Sequence, residues 1–154
     1  MLDTPEITES PAELTATIHL IVPRSEMRSV MGPAIAEVLA AVQAQGIGPA
    51  GPVFSHHLRM VPDIFDFDVG VPVRKPVSPT GRVESRERPA RRVVRTIYHG
   101  PYEGLGAAWR EFDGWIAANR HEATIDLWEC YLTGPESGLD PAQWRTELNR
   151  PLMD

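Results

Sequence analysis

The sequence predicts an α+β fold made of two pseudo-repeated β-α-β-β units that form an antiparallel sheet, with both helices on one face and a ligand groove on the other. Three observations carry this prediction. Several stretches alternate apolar and polar residues, two others space their apolar residues as a helix does, and the two halves of the chain echo each other. The echo is read directly: residues 65–73 lie over residues 144–152, so that Phe65 meets Trp144 and Pro72 meets Pro151, and residues 54–57 lie over residues 128–131.

In the first half, residues 15–22 place Ala16, Ile18, Leu20 and Val22 on one side, the period of a half-buried strand. Met31, Ile35, Val38, Leu39 and Val42 then fall on one side of a helix, with Pro33 expected in its first turn and Gly46 as its stop. Residues 53–60 and 65–73 supply two further strands. In the second half, residues 92–98 form a strand, the turn His99-Gly100-Pro101-Tyr102 follows, and Leu105, Ala108, Trp109, Phe112, Trp115 and Ile116 line one side of a helix. Helical spacing of this kind marks the three aromatics as core residues packed on the sheet. Residues 124–133 and 144–152 complete the repeat, either side of a loop marked by Gly134-Pro135 and Asp140-Pro141. The expected organisation is a polar tail over residues 1–13 and a single domain over 14–154, with repeat one at about 14–73, a linker at 74–90 and repeat two at about 91–153.

Composition narrows the function. A chain of 154 residues can bury a full core without staples, and its single cysteine, Cys130, rules out an internal disulfide framework. Cys130 is expected to pack as a small hydrophobe. No metal site and no cofactor are expected, because His56 and His57, being adjacent on a strand, point to opposite faces. The single cysteine predicts a reducing, cytoplasmic setting, and the acidic N-terminus and the lack of any long apolar run predict a protein that meets no membrane. A net charge of −6 argues against duplex DNA as a partner. Seven of the fifteen basic residues nevertheless lie between Arg74 and Arg92, interspersed with Pro76, Pro79, Gly81 and Pro89, the composition of a solvated connector.

The order and spacing of His99-Gly100-Pro101-Tyr102, Trp109, Trp115-Ile116, Trp128-Glu129-Cys130-Tyr131, Thr146-Glu147-Leu148 and Pro151-Leu152 resemble the second repeat of the GyrI-like family. Gly51-Pro52 and residues 68–73 are similar to its first repeat, and the resemblance covers residues 14–153. That family holds the effector-binding domains of AraC-type multidrug-sensing activators, which have SHS2-like repeats, together with gyrase-inhibitory proteins, free-standing binders of lipophilic cations, and hydrolases of cyclopropanoid toxins. About fourteen polar residues precede the first strand, so a stand-alone member without its own DNA-binding module is expected.

The resemblance makes Glu129 the central carboxylate of a ligand site. Alternation sends Leu127, Glu129 and Tyr131 to one face, expected to be the groove, and Trp128, Cys130 and Leu132 to the other, expected to meet the helices. Tyr131 is placed to hydrogen-bond Glu129 or to stack on a ligand. By the repeat, Ser55 and His57 lie over Glu129 and Tyr131 and give the groove a polar wall, while Tyr102 and Phe67 are candidate lining residues. His99 is read as a turn histidine with a possible acid/base role. The expected function is binding of small lipophilic, cationic molecules. The alternatives are hydrolysis by Glu129 and Tyr131, and inhibition of a protein partner through the exterior.

Overall fold

The structure, a computed structural model, describes residues 1–153, with Met60 described by its backbone alone. Among these residues are eight strands and two helices: β1 (Glu6–Ser10), β2 (Glu13–Pro23), α1 (Met27–Ala44), β3 (Phe54–Val61), β4 (Ile64–Pro72), β5 (Glu84–Arg88), β6 (Arg91–His99), α2 (Leu105–Ala118), β7 (Leu127–Thr133) and β8 (Arg145–Pro151). The class is α+β, and the strand pairs described below are all antiparallel. The chain divides into two compact units, one of residues Pro11–Ala90 and one of Met1–Ser10 with the chain from Arg91 onward.

In the Pro11–Ala90 unit the strands run in the order β3, β4, β2, β5. Ala16, Ile18 and Leu20 of β2 stand beside Val71, Val69 and Phe67 of β4 and form a continuous apolar face. Helix α1 seals that face with Ala34, Val38, Ala41 and Val42, while Met31, Ile35 and Leu39 flank the contact partly buried. The stripe is therefore centred on alanines the pattern passed over, because small side chains let a helix backbone approach a sheet closely. Pro33 lies in the body of α1, not in its first turn, because the helix begins at Met27 rather than near Met31. Having no N–H, Pro33 leaves one carbonyl of the preceding turn without its intrahelical donor. The segment expected to be a connector is partly strand: β5, in the middle of the basic run, pairs with β2 from Glu13↔Arg88 to Thr17↔Glu84.

In the other unit the order is β1, β6, β8, β7. Val94 and Tyr98 of β6 and Leu148 of β8 face Ala108, Phe112 and Ile116 of α2, and Leu152 joins the same cluster. Residues of the expected N-terminal tail belong to this sheet: β1 pairs with β6 from Glu6↔Arg95 to Ser10↔Arg91, and the Asp3 N–H donates to the Ile97 carbonyl at 2.9 Å. Only Ile7 within Glu6-Ile7-Thr8-Glu9-Ser10 packs on the core, too thin an apolar signal to mark a strand.

The helices end alike. After α1, Gly46 takes φ +68° and donates to the Gln43 carbonyl, while Ile47 donates to that of Val42. After α2, Arg120 takes φ +60° and donates to Ala117, while His121 donates to Ile116. Both are Schellman stops, but the second places an arginine where the left-handed backbone favours glycine. A non-glycine residue in that conformation costs about 1–2 kcal/mol, and the extra freedom glycine has when unfolded returns part of it. Arg120→Gly is expected to stabilise the protein by about 0.5–1 kcal/mol, read as a rise in the denaturant midpoint. An unchanged or lower midpoint would mean that the arginine side chain contributes more than its backbone conformation costs.

Candidate functional site

The sequence places Glu129 in the middle of β7, with Leu148 of β8 directly opposite and Thr96 of β6 beyond Leu148. Leu148 belongs to the cluster under α2, so Glu129 opens onto the side of the sheet that α2 covers. The expectation that Trp128, Cys130 and Leu132 meet the helix is thus corrected. Trp128 shares the far side with Asn149, and Arg95 donates there to the Asn149 side chain at 2.6 Å. Hydrophobicity alone misassigned the faces, since a carboxylate is tolerated under a helix when that helix supplies its donor.

Trp109 of α2 is the donor. Its indole N–H gives a hydrogen bond to Glu129 Oε2 at 2.6 Å, and the Tyr131 hydroxyl donates to Oε1 at 2.8 Å. Glu129 is only 8% exposed. Burial pushes its carboxyl above the usual range, and the two hydrogen bonds pull it partly back. Both donors are neutral, and among the described residues no Lys, Arg or His pairs with this carboxylate. Around it stand aromatic rings. Tyr102, in a 3-10 turn at the mouth of α2, meets Tyr131 edge-on at 5.8 Å and Trp144 at 5.1 Å, and Trp109 leans on Phe112 at 5.6 Å.

The structure therefore brings together Glu129, Tyr131 and Tyr102 of the expected residues, with Leu127 buried two positions along β7 on the same side. The structure adds Trp109, which packs on the core as expected and also holds the carboxylate, and Trp144. The signal for Trp109 lay in its own chemistry, because a half-buried indole N–H needs an acceptor, and the only acid on the apolar-flanked strand of that repeat is Glu129.

The other expected residues cluster in the Pro11–Ala90 unit. Ser55 and His57 project from β3 to the α1 side, beside Val69 and Phe67. His57 stacks on Phe67 at 5.1 Å, meets Phe65 edge-on at 5.3 Å, and contacts the Ser55 hydroxyl through Nε2 at 3.4 Å. Its Nδ1 is buried without a hydrogen-bond partner among the described residues. Burial, followed by the positive charges of His56 and Arg24, pushes the imidazole down to about 4, so it is neutral at physiological pH. Phe67 is fully buried in the α1 core. His56 points the other way and lines a cavity of about 80 Å³ with Asp68, Arg86 and Arg88. His99 sits at the end of β6, where its Nε2 meets the Asp3 carboxylate at 2.9 Å in a half-exposed pair. A second cavity, about 350 Å³, is lined by Arg92, Arg120, His121, Glu122, Leu152 and Met153 and shares no residue with the Glu129 group. Among the described residues, no helix is long and apolar enough to cross a membrane, and no group of three His, Cys, Asp or Glu residues is placed to hold a metal ion.

The family model for the GyrI-like small molecule binding domain matches residues 3–153. The chain belongs to the GyrI-like family. Comparison of this GyrI-like domain with curated proteins gives no match in sequence. Among solved structures it is similar to EcmrR as seen by cryo-EM in a complex with DNA, at 24% identity and TM-score 0.83, over 97% of this chain and 57% of that one. This GyrI-like chain thus spans little more than half the length of EcmrR. It is similar to the crystal structure of the EcmrR C-terminal domain at 22% identity and TM-score 0.84, over 98% of both chains. It is also similar to SAV2435 bound to tetraphenylphosphonium, at 8% identity and TM-score 0.72, over 97% of this chain and 94% of that one. At such identities the likeness is one of fold.

Proposed function

We propose that this GyrI-like domain binds small lipophilic cations, with Glu129 as the anchoring charge and Trp109, Tyr131, Tyr102 and Trp144 as its aromatic surround. The observation that carries the reading is a carboxylate 8% exposed, held by two neutral donors and raised in pKa by burial. Desolvation makes its negative charge costly, and a cation brought by a ligand relieves that cost. Rings around a cation add attraction from their negative faces. SAV2435, similar in fold, was solved with tetraphenylphosphonium, which supports the choice of that cation as the first probe.

Titration calorimetry with tetraphenylphosphonium tests the reading. Glu129→Gln keeps the shape and removes the charge, and is expected to weaken binding about ten- to a hundredfold, the range of a charge-assisted interaction lost from a desolvated site. Because the Glu129 carboxyl is raised in the ligand-free protein, wild-type affinity rises with pH through that raised value, with release of a proton on binding, whereas the glutamine variant shows neither effect. Equal affinity and equal pH dependence in the two proteins would remove Glu129 from the site. A second reading, hydrolysis, is favoured by the 2.8 Å contact between Tyr131 and Glu129, a spacing suited to shared proton transfer. It predicts turnover of a strained-ring or ester substrate that Glu129→Gln abolishes while binding persists.

A further inference from the structure

We propose that the Glu129 site has an outer recognition point, formed by the Tyr102 hydroxyl and the Glu136 carboxylate, that favours lipophilic ligands carrying two cationic groups. The inference builds on the Glu129 reading and adds the class of ligand. It starts from the course of the aromatic wall, which runs from Tyr131, bonded to Glu129, through Tyr102 to Trp144. Trp144 is tied at its far end, its indole N–H donating to the Leu139 carbonyl at 3.2 Å. The wall thus leads from a buried charge toward the loop over residues 134–144.

That loop brings a second carboxylate to the wall. Glu136 lies in a 3-10 turn at Pro135–Ser137, and its Oε1 accepts the Gly134 N–H at 3.1 Å, which fixes the side chain against its own backbone. A Cβ built on Gly134 would collide with the Tyr102 hydroxyl and would lie 3.0 Å from Glu136 Oε2. The phenol oxygen and the second carboxylate oxygen therefore both adjoin Gly134, where a larger residue would push them away. They do not bond each other: among the described residues nothing hydrogen-bonds the Tyr102 hydroxyl, and Glu136 Oε2 accepts no bond. A half-buried phenol and an exposed carboxylate thus stand together at the end of an aromatic track.

The charge pattern agrees with this placement. Burial raises the Tyr102 hydroxyl pKa, and Glu136 and then Glu129 raise it further, so two negative charges act on the phenol. Among the described residues, no cation is one of the groups acting on it. A ligand with one cation satisfies Glu129 and leaves Glu136 hydrated at little cost. A ligand with a second cation at the far end of its apolar body gains the outer carboxylate as well.

The test uses the intact chain and two probe series: bis(trimethylammonium)alkanes of graded length and the alkyltrimethylammonium of each same length. For wild type the affinity ratio of the best bis-cation to its single-headed counterpart is expected to be about ten, as for a partly desolvated charge pair. In Glu136→Gln the ratio falls to about two, the statistical factor for two equivalent ends. No length preferred in wild type, or a ratio unchanged by Glu136→Gln, overturns the outer recognition point. Failure of the underlying reading shows separately, as single-headed probes that bind Glu129→Gln and wild type alike.

Discussion

Replacing Phe112 by alanine is expected to destabilise the protein by about 3–5 kcal/mol, the range for truncating a fully enclosed aromatic. Phe112 has no exposed surface and sits at the centre of the α2 cluster, with Ala108 and Ile116 on its own helix and Val94, Tyr98 and Leu148 beneath. The ring is also the support of the site, since Trp109 leans on it at 5.6 Å and holds Glu129 from its other edge. Two losses should therefore appear together: a fall in the thermal midpoint of roughly 10 °C, and weaker tetraphenylphosphonium binding in the protein that remains folded. A melt unshifted by Phe112→Ala would contradict the packing. Loss of stability with intact affinity would show that Trp109 does not depend on its neighbour.

The second large effect is one of pH. The His57 imidazole is lowered to about 4 in the folded protein, against about 6.5 when free. A base depressed by folding leaves the folded state with fewer bound protons than the unfolded state. Its contribution to stability is complete above pH 6.5 and is lost as pH falls from there to 4. The loss amounts to about 3 kcal/mol, because each pH unit separating the folded and unfolded values is worth about 1.4 kcal/mol. Glu129 acts with the opposite sign, since its raised carboxyl favours the folded state at low pH. His57→Phe isolates the histidine, because the new ring replaces the old one between Phe65 and Phe67 and cannot take up a proton. Urea unfolding at pH 7 and at pH 4 is expected to show wild type losing about 3 kcal/mol more than the variant. Parallel pH profiles for the two proteins would mean that the imidazole is charged in the folded state or is reached by water.

Much of this was legible in the sequence. The alternation of Ala16, Ile18 and Leu20, and the spacing of Ala108, Phe112 and Ile116, gave strands and helices because period and burial share a geometric cause. The echo between the halves announced the repeat, and the stops at Gly46 and Arg120 show that it extends to the helix ends. What pattern alone did not reach were the pieces whose partners are remote in sequence. β1 and β5 carry mostly charged or hydroxyl side chains, and they are strands because β6 and β2 hold their backbones. The facing of Glu129 was lost for a related reason: hydropathy ranks Trp128 above it, whereas the decisive term is a single indole donor on α2, twenty residues earlier. The role of Trp109 was hidden because a tryptophan that holds a carboxylate and one that only packs share the same helical spacing.

The pairing of β1 with β6 has a consequence for how the protein is made. Glu6 finds its partner only when Arg95 has been synthesised, and Ser10 waits for Arg91, whereas every strand pair from β2 to β5 lies within one uninterrupted stretch. A chain growing from the ribosome can finish the Pro11–Ala90 unit while residues 1–10 remain without a sheet to join. The later unit closes only when β8 emerges, because β8 lies between β6 and β7. Closing contacts between such distant positions is slow compared with local ones. The order of assembly is thus set by the interruption itself: the inserted half folds early, and the half that carries Glu129 gathers its two ends last.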